Sequence, residues 1–581
     1  MHGGNVIANV LHKQDITHLF TLCGGHIAPI LTAAEEAGIH VTDVRHEASA
    51  VFAADAIARL SGTPGIAVVT AGPGVTNAVT ALQNALMAQS PVILIAGAAP
   101  TVLQGRGALQ DIDQLAIVKP VVKKSYTIKK NCDLAPVLEN AFAVASSGVP
   151  GPVFVEIPID VLYEEELVRS WYGTAGTADT TSGSHSIRAK IMRWYLNRHV
   201  DTIFSCDLES LETGTVDTQL HGISNRLVRK AARTIFSSSQ PVMIVGSQAM
   251  LDPGRVSQLK KAVEEIQVPV YLTGMARGLL DEGHPLLMRH KRSEVLKRSD
   301  CVILAGMPAD FRLEYGRKIP NTATLISVNR SRKDLKMNRK PNIGIHSDPF
   351  LFLHALSGEF SRTKISWISW NEEIHQLQHE REQHIMTTSR EKTGYINPLY
   401  FLMELKKHLG EDDILVADGG DFVASASYIL HPPTPLSWLD PGVFGTLGVG
   451  GGFALGAAAA RPGKTIWILY GDGAAGYSLM EMDTFARHGI PVIAVIGNDA
   501  GWQQIARDQV EYLGNNIGTQ LTHAHYNHIA EAFGGKGYEI RNPRQVKGTL
   551  EKAKKASRKG MPVLVNVHIG TTDFRKGSIS M

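Results

Sequence analysis

The chain has 581 residues, 44% of them hydrophobic and 19% charged, with a formal net charge of +3. That length suggests about three domains, the composition excludes a disordered chain, and the near-balanced charge leaves no electrostatic footprint for nucleic acid. No run reaches the roughly 18 apolar residues that span a bilayer, and Cys23, Cys132, Cys206 and Cys301 lack metal-type spacing, so reduced thiols in a soluble, cytoplasm-facing protein are expected.

The opening MHGGNVIANVLHKQ reads as an amphipathic helix and lacks the apolar core of a signal peptide. Residues 44–60, VRHEASAVFAADAIARL, place Arg45, His46 and Glu47 at the mouth of an alanine-rich helix. An exposed glutamate there would only complement the helix dipole, worth well under ~1 kcal/mol. Short β-branched runs follow, each ending in glycine or a turn: GIAVVTAGPG, PVILIAGAAP and PVFVEIPIDV, then PVMIVGSQAM and CVILAGMPAD, then DILVADGGDF, TIWILYGDGAAG, PVIAVIGNDAGW and PVLVNVHIGTT. Runs apolar on both faces that alternate with helices predict parallel sheets covered on both sides, an α/β protein with several sheets.

Composition shifts divide the chain into 1–170, a linker over 171–235, a central α/β unit over 236–360, a charged helical linker over 361–394, and a last unit over 395–581. The polar stretch GTAGTADTTSGSHS at 173–186 precedes a helix, IRAKIMRWYLNRHVDTIF. Its stripe of Ile187, Ile191, Trp194 and Tyr195 is expected to pack on a neighbouring domain rather than on a membrane surface. GVPGPVFVEIPIDV and KGMPVLVNVHIGTT, closing the first and last units, each place a glycine and a proline at the entry to a strand, which suggests related folds at the two ends.

The last unit carries the strongest signal. TIWILY ends in Gly471-Asp472-Gly473, PVIAVI ends in Gly497-Asn498-Asp499, and a helix between them makes one βαβ crossover. Its right-handed geometry brings both carboxyl ends to one edge, where α/β sheets bind ligands. A carboxylate beside an amide oxygen, without thiol or imidazole, is a hard donor set suited to magnesium. Upstream, PGVFGTLGVGGGFALGAAAA reads as a loop and a glycine/alanine helix, with Gly445, Thr446 and Leu447 at its mouth. In DGGDF, Gly419-Gly420 offer N–H groups to a phosphate, which Asp418 and Asp421 would repel unless turned away or paired.

In this order the pieces resemble the thiamine-diphosphate-dependent enzymes of the acetolactate synthase and 2-hydroxyacyl-CoA lyase group, over nearly the whole chain. The pyrimidine-binding pattern is carried by GGHIAPI, RHEASAVFAADAIAR and TAGPGVTNAVTALQNA, the diphosphate pattern by GDG…ND. The resemblance implies three domains of parallel sheet, thiamine-diphosphate-binding folds at both ends, and a cofactor held with Mg2+. It assigns Gly25, His26, Glu47, Pro73 and Asn77 to the pyrimidine side, although a histidine after Gly-Gly departs from the family. Gly420, Asp421 and Phe422 fall on the diphosphate, where the acid at 421 is a second departure. Gly445, Thr446 and Leu447 would form the wedge under the cofactor, and Gly471, Asp472, Gly473, Ala474, Asn498, Ala500, Gly501 and Trp502 the rest of its cradle. Asp472, Asn498 and the carbonyl of Ala500 would hold the metal. Tyr477 and Ser478 would be within reach of the cofactor or the substrate. Glu47 would hydrogen-bond the aminopyrimidine ring and promote its proton-accepting tautomer, and Gln110 in GRGALQDIDQ would face the substrate.

GTLGVGGGFALGAAAA and GYSLMEMDTFARHGIPV are more similar to the lyase branch. That implies cleavage of the C1–C2 bond of a 2-hydroxyacyl-CoA to an aldehyde and formyl-CoA, with an acetolactate-type reaction on 2-oxo acids as the alternative. A nucleotide-binding protein of Rossmann type is disfavoured because AGPGVTNAVT lacks the GxGxxG spacing. The family places the cofactor between the first domain of one subunit and the third of its partner, implying a homodimer or homotetramer. It also includes a relative anchored at the endoplasmic reticulum membrane, so membrane attachment is expected only if an N-terminal segment is missing here.

Overall fold

The computed structural model describes residues 1–173, 187–208, 211, 213–215, 222–361 and 366–576. Most of the polar linker at 173–186 and the last five residues lie outside them. By internal contacts the chain forms two compact units, residues 1–58 with 63–219, and residues 59–62 with 220–581.

The first unit is built on six parallel strands in the spatial order His40–Asp43, His18–Leu22, Gly65–Val69, Val92–Ala98, Val153–Pro158, Lys124–Thr127. Numbered along the chain, that is 2-1-3-4-6-5. The inner strands Gly65–Val69, Val92–Ala98 and Val153–Pro158 are buried at every residue, the pattern expected where helices cover both faces. Ile7 and Leu11 of helix Gly3–Lys13 and Leu138 of helix Leu134–Ser146 share one core with Leu19, Ile66, Ile93, Ile95 and Val155.

The second unit holds two such sheets. The one nearer the N-terminus runs Leu287–Met288, Val270–Leu272, Pro241–Val245, Cys301–Ala305, Thr324–Asn329, Ile343–His346, which is 3-2-1-4-5-6 in chain order, the doubly wound arrangement of dinucleotide-binding proteins. Here the protein's own side chains bridge the strand ends: Gln248 Nε2 donates to Asn329 Oδ1 (3.2 Å), and Gln248 Oε1 accepts from the Arg330 amide (2.7 Å). The other sheet runs Trp438–Leu439, Asp413–Ala417, Thr465–Gly471, Val492–Asn498, Val563–His568, Lys536–Ile540. This is again 2-1-3-4-6-5, and the two strands introduced by Gly-Pro and Met-Pro occupy the same place in their sheets. The echo between the chain ends is therefore one of topology.

Three expectations need correction. Cys132 and Cys206 form a disulfide rather than two reduced thiols, leaving Cys23 and Cys301 free. Asn131 brings the two segments together, donating from Nδ2 to the Cys206 carbonyl (2.7 Å), a proximity that a separation of 74 residues conceals. In helix Ile187–Ile203 only Val200 and Ile203 are buried, and Ile187, Ile191, Trp194 and Tyr195 are exposed. The crossover between Thr465–Gly471 and Val492–Asn498 is carried by two short helices, Asp472–Ala475 and Glu481–Arg487, instead of one.

Candidate active site

In an order 2-1-3-4 the connections leave strands 1 and 3 in opposite directions, so a crevice opens past their carboxyl ends. In the first unit those ends run into Cys23-Gly24-Gly25-His26 and Thr70-Ala71-Gly72-Pro73. His26 Nδ1 lies 3.2 Å from Thr70 Oγ1, and Thr70 Oγ1 donates to Gln110 Oε1 at 3.4 Å. His26 and Gln110, far apart in sequence, thus meet on one threonine. Gly25 faces open space. Gly72 has φ +62°, and a Cβ there would lie 2.8 Å from the Gln110 carbonyl, so the turn into helix Pro73–Ala88 requires glycine. Gln114 fixes that turn: its Oε1 accepts from the Gly72 amide (2.8 Å) while Nε2 donates to Glu156 Oε2 (2.7 Å).

Glu47 opens helix Glu47–Ser61 and is 6% exposed, whereas Arg45 and His46 beside it are exposed. His46 Nδ1 accepts the Ala48 amide (3.1 Å), and Asn77, one turn into helix Pro73–Ala88, donates its side-chain amide to Glu47 Oε2 (2.9 Å). Glu47 is thus a buried acid with one carboxylate oxygen oriented by a neutral donor.

In the second unit the crevice lies past Asp413–Ala417 and Thr465–Gly471. The Gly471 amide donates to the Gly419 carbonyl (3.1 Å). Strand register pairs Gly471 with Gly497, which sets Asp472 and Asn498 at neighbouring strand ends. Asp472 Oδ1 accepts the Gly473 amide (2.9 Å) and Oδ2 the Gly501 amide (3.1 Å). Asn498 gives both amide hydrogens away, to the Ala524 carbonyl (3.2 Å) and Asn566 Oδ1 (3.1 Å), which leaves Oδ1 facing the Ala500 amide at 3.3 Å. Ala500 holds φ +56°, a left-handed conformation that is strained for alanine.

The expected repulsion by the two acids of DGGDF is removed in two ways. Asp418 is turned inward, accepting the Gly448 (2.9 Å) and Gly450 (2.7 Å) amides, and so anchors the loop that carries Leu447. Asp421 pairs with Arg507 at 2.8 Å, while its Oδ1 is buried without a partner among the described residues.

Two close approaches test whether this cradle fits a cofactor. A Cβ on Gly419 would stand 2.2 Å from Leu447 Cδ2, and one on Gly473 would stand 2.6 Å from the Trp502 ring. Backbone at Gly419 and Gly473 is therefore packed directly against one aliphatic side chain and one indole. Phe422 packs beneath Gly497, whose Cβ would meet its ring at 2.4 Å. Electrostatics point to a cation. Burial pushes Asp472 up to about 6, against the pull of the Gly473, Gly501 and Ala500 amides. Asp499 is driven up by burial and then by the charges of Asp472 and Asp421. Carboxylates this reluctant to ionise together gain from a divalent ion. Among the described residues no group of three or more His, Cys, Asp or Glu could hold one; the candidate donors are instead the oxygens of Asp472, Asn498 and Ala500.

Ser478 is buried on Tyr470 (3.0 Å) and the Gly451 amide (3.2 Å), while Tyr477 is exposed. Gly445 and Thr446 lead into the Leu447 loop, and Thr446 Oγ1 donates to the Leu447 carbonyl (3.2 Å). Ala474 is buried in helix Asp472–Ala475. Sequence reasoning missed Thr70, Gln114 and Arg507. Only Thr70, at the end of GIAVVT, carried a positional signal.

The chain matches three family models: the N-terminal TPP-binding domain of thiamine pyrophosphate enzymes over residues 1–117, their central domain over 228–356, and their C-terminal TPP-binding domain over 418–567. It is 45% identical to "2-hydroxyacyl-CoA lyase 2" of Danio rerio, covering 100% of this chain and 93% of that protein. The human protein of that name is also 45% identical, with 100% and 92% covered. A "Probable acetolactate synthase" of Mycobacterium bovis is 31% identical over 98% of this chain and 95% of its own length.

Proposed function

The chain belongs to the thiamine pyrophosphate enzymes, and on that premise we propose that it is a thiamine-diphosphate- and Mg2+-dependent carbon–carbon lyase. It cleaves the C1–C2 bond of a 2-hydroxyacyl-CoA, giving an aldehyde one carbon shorter and formyl-CoA. The substrate follows from the relatives at 45% identity over nearly their whole length. The observation that carries the chemistry is the buried Glu47 held by Asn77.

When bound, thiamine diphosphate supplies a nucleophilic carbon and an electron sink for bond cleavage. Glu47 would hydrogen-bond and share a proton with the aminopyrimidine ring, and Asn77 fixes the direction of its carboxylate. The backbone of Gly25 would leave room for that ring beside His26, with Pro73 at the head of the helix that brings Asn77. Gln110, tied to Thr70, faces the substrate. Asp472, Asn498 and the Ala500 carbonyl would hold Mg2+, Gly420 to Phe422 and Gly471 to Trp502 would bind the diphosphate, and Leu447 would support the cofactor from the loop that Asp418 anchors. The protein works as a homodimer or homotetramer, and a monomeric variant with full activity would overturn that assembly.

A product assay with thiamine diphosphate and Mg2+ tests the reading. Aldehyde and formyl-CoA from a long-chain 2-hydroxyacyl-CoA are expected. Acetolactate from pyruvate would instead favour the second reading, which rests on the mycobacterial relative.

A further inference from the structure

Helix Asp421–Ile429 begins with an acid at the place where this site presents backbone amides to an anion. Gly420, at φ +104°, turns the chain into the helix beside Gly471. A negative side chain in the first turn suits the helix dipole but opposes a diphosphate seated on the same amides. Asp499 stands as a further carboxylate on the wall of the same cavity. The negative charge of Asp421 has to be offset before an anion enters.

Arg507 is placed to do so. One turn into helix Gln503–Leu513, it donates from Nη2 to Asp421 Oδ2 at 2.8 Å and from Nη1 to the Arg575 carbonyl at 3.4 Å. The two charged side chains are 18% and 17% exposed, so solvent screens the pair little. They line a cavity of about 420 Å3 together with Asp499, Gln503, Gly570 and Thr571. Lys392 lines the same wall, but Arg507 is the cation that pairs with Asp421, reaching across from the segment that follows Trp502 to the segment that follows Gly420.

We infer that Arg507 is a cofactor-positioning residue: by neutralising Asp421 it opens the N-terminus of helix Asp421–Ile429 to a diphosphate. The pair stands where a neutral or basic side chain would serve alone, and neither partner is then replaceable singly without changing the charge that the anion meets. This assignment rests on the cofactor reading of the site, and the two are tested together but fail differently.

The experiment is calorimetric titration of the full chain with thiamine diphosphate in Mg2+, with thermal melts of the ligand-free proteins alongside. Arg507→Gln is expected to raise Kd at least about tenfold, because it leaves a partly buried carboxylate uncompensated. Asp421→Asn is expected to bind as tightly as the wild type or tighter, and the double variant Asp421→Asn/Arg507→Gln to return within about threefold of it, by the logic of a double-mutant cycle. An Arg507→Gln protein that melts lower yet keeps the wild-type Kd would reduce the pair to a structural brace and overturn the inference. So would an affinity that stays lost in the double variant. If the wild type itself fails to bind, the cofactor reading falls and the role of Arg507 with it.

Discussion

Asn77 donates its side-chain amide to Glu47 Oε2 at 2.9 Å, joining the first residue of one helix to the second turn of another. The bond gives a buried carboxylate a fixed direction without giving it a counter-charge. A lysine or arginine in place of Asn77 would hold the acid ionised and compete for its proton. A neutral amide orients it and leaves it able to exchange one.

Glu47→Gln should therefore slow turnover severely while the protein still folds and binds cofactor. General acid–base groups contribute about 10²–10⁴-fold, and a loss of that size in aldehyde formation, with an unchanged melt, is the expected outcome. Asn77→Ala should cost less, roughly tenfold in kcat, since it frees the Glu47 rotamer but keeps the acid. Equal kcat in wild type and Glu47→Gln would remove Glu47 from the chemistry.

Asp418 makes stability depend on pH. Burial raises its pKa to about 7, against the pull of the Gly450 and Gly448 amides, whereas an unfolded aspartate titrates near ~3.9. Between those values the folded state keeps a proton that the unfolded state has lost. The contribution is thus complete below about pH 4 and disappears as pH rises through about 7, at about 1.4 kcal/mol per unit for one proton. The ligand-free melt should fall from pH 5 to 7, and Asp418→Asn should flatten that part of the profile. A profile of unchanged slope in the variant would assign the effect to other groups.

The continuous apolar runs made the sheets legible, because a strand buried on both faces has few other ways to be written. The carboxyl-edge motifs were legible for the same reason: Asp472 and Asn498 lie directly at the ends of their strands. What the sequence hid was pairing through space. Asp421 and Arg507 are 86 residues apart, and Cys132 and Cys206 are 74 apart. Neither separation leaves a local pattern. The inward turn of Asp418 was hidden differently, since a carboxylate beside two glycines reads alike whether it faces a ligand or the backbone. The exposed stripe of Ile187, Ile191 and Trp194 shows the reverse error, in which an apolar period predicted burial that the fold does not supply.

Asp472→Ala should remove the response to metal. A wild-type protein loaded with thiamine diphosphate and Mg2+ should lose several degrees in Tm on chelation, since a ligand at 100 times its Kd adds about 2.7 kcal/mol. The variant should show no such shift. Because Asp472 is pushed up to about 6 by burial, a proton competes with the metal below that pH. Mg2+ affinity should then weaken by about tenfold per unit toward acid. An affinity independent of pH between 5 and 6 would place the ligand elsewhere.

Gly473→Ala tests the close packing of this backbone against Trp502. The added methyl would stand 2.6 Å from the Trp502 ring, so the indole has to move, at a cost of about 1–3 kcal/mol. Altered tryptophan emission and a weaker cofactor Kd are expected together. Recovery of the melt, but not of the affinity, in Gly473→Ala/Trp502→Leu would separate the steric clash from the loss of a stacking face.

The disulfide tests the fold rather than the site. Cys132 belongs to the short helix Asn131–Asp133 of the first unit, and Cys206 follows helix Ile187–Ile203, so the bond ties that helix back to the domain that precedes it. Closing a loop of this length restricts the unfolded chain, and its loss should cost about 2–4 kcal/mol. The variant Cys132→Ser/Cys206→Ser should melt lower than the oxidised wild type and alike with or without reductant, at wild-type kcat, because neither sulfur lies at the strand ends that carry Glu47 and Asn77. Thiol titration of the unreduced, denatured wild type should count two groups, Cys23 and Cys301. A count of four would mean that the pair is reduced as isolated, and the stability difference should then vanish as well.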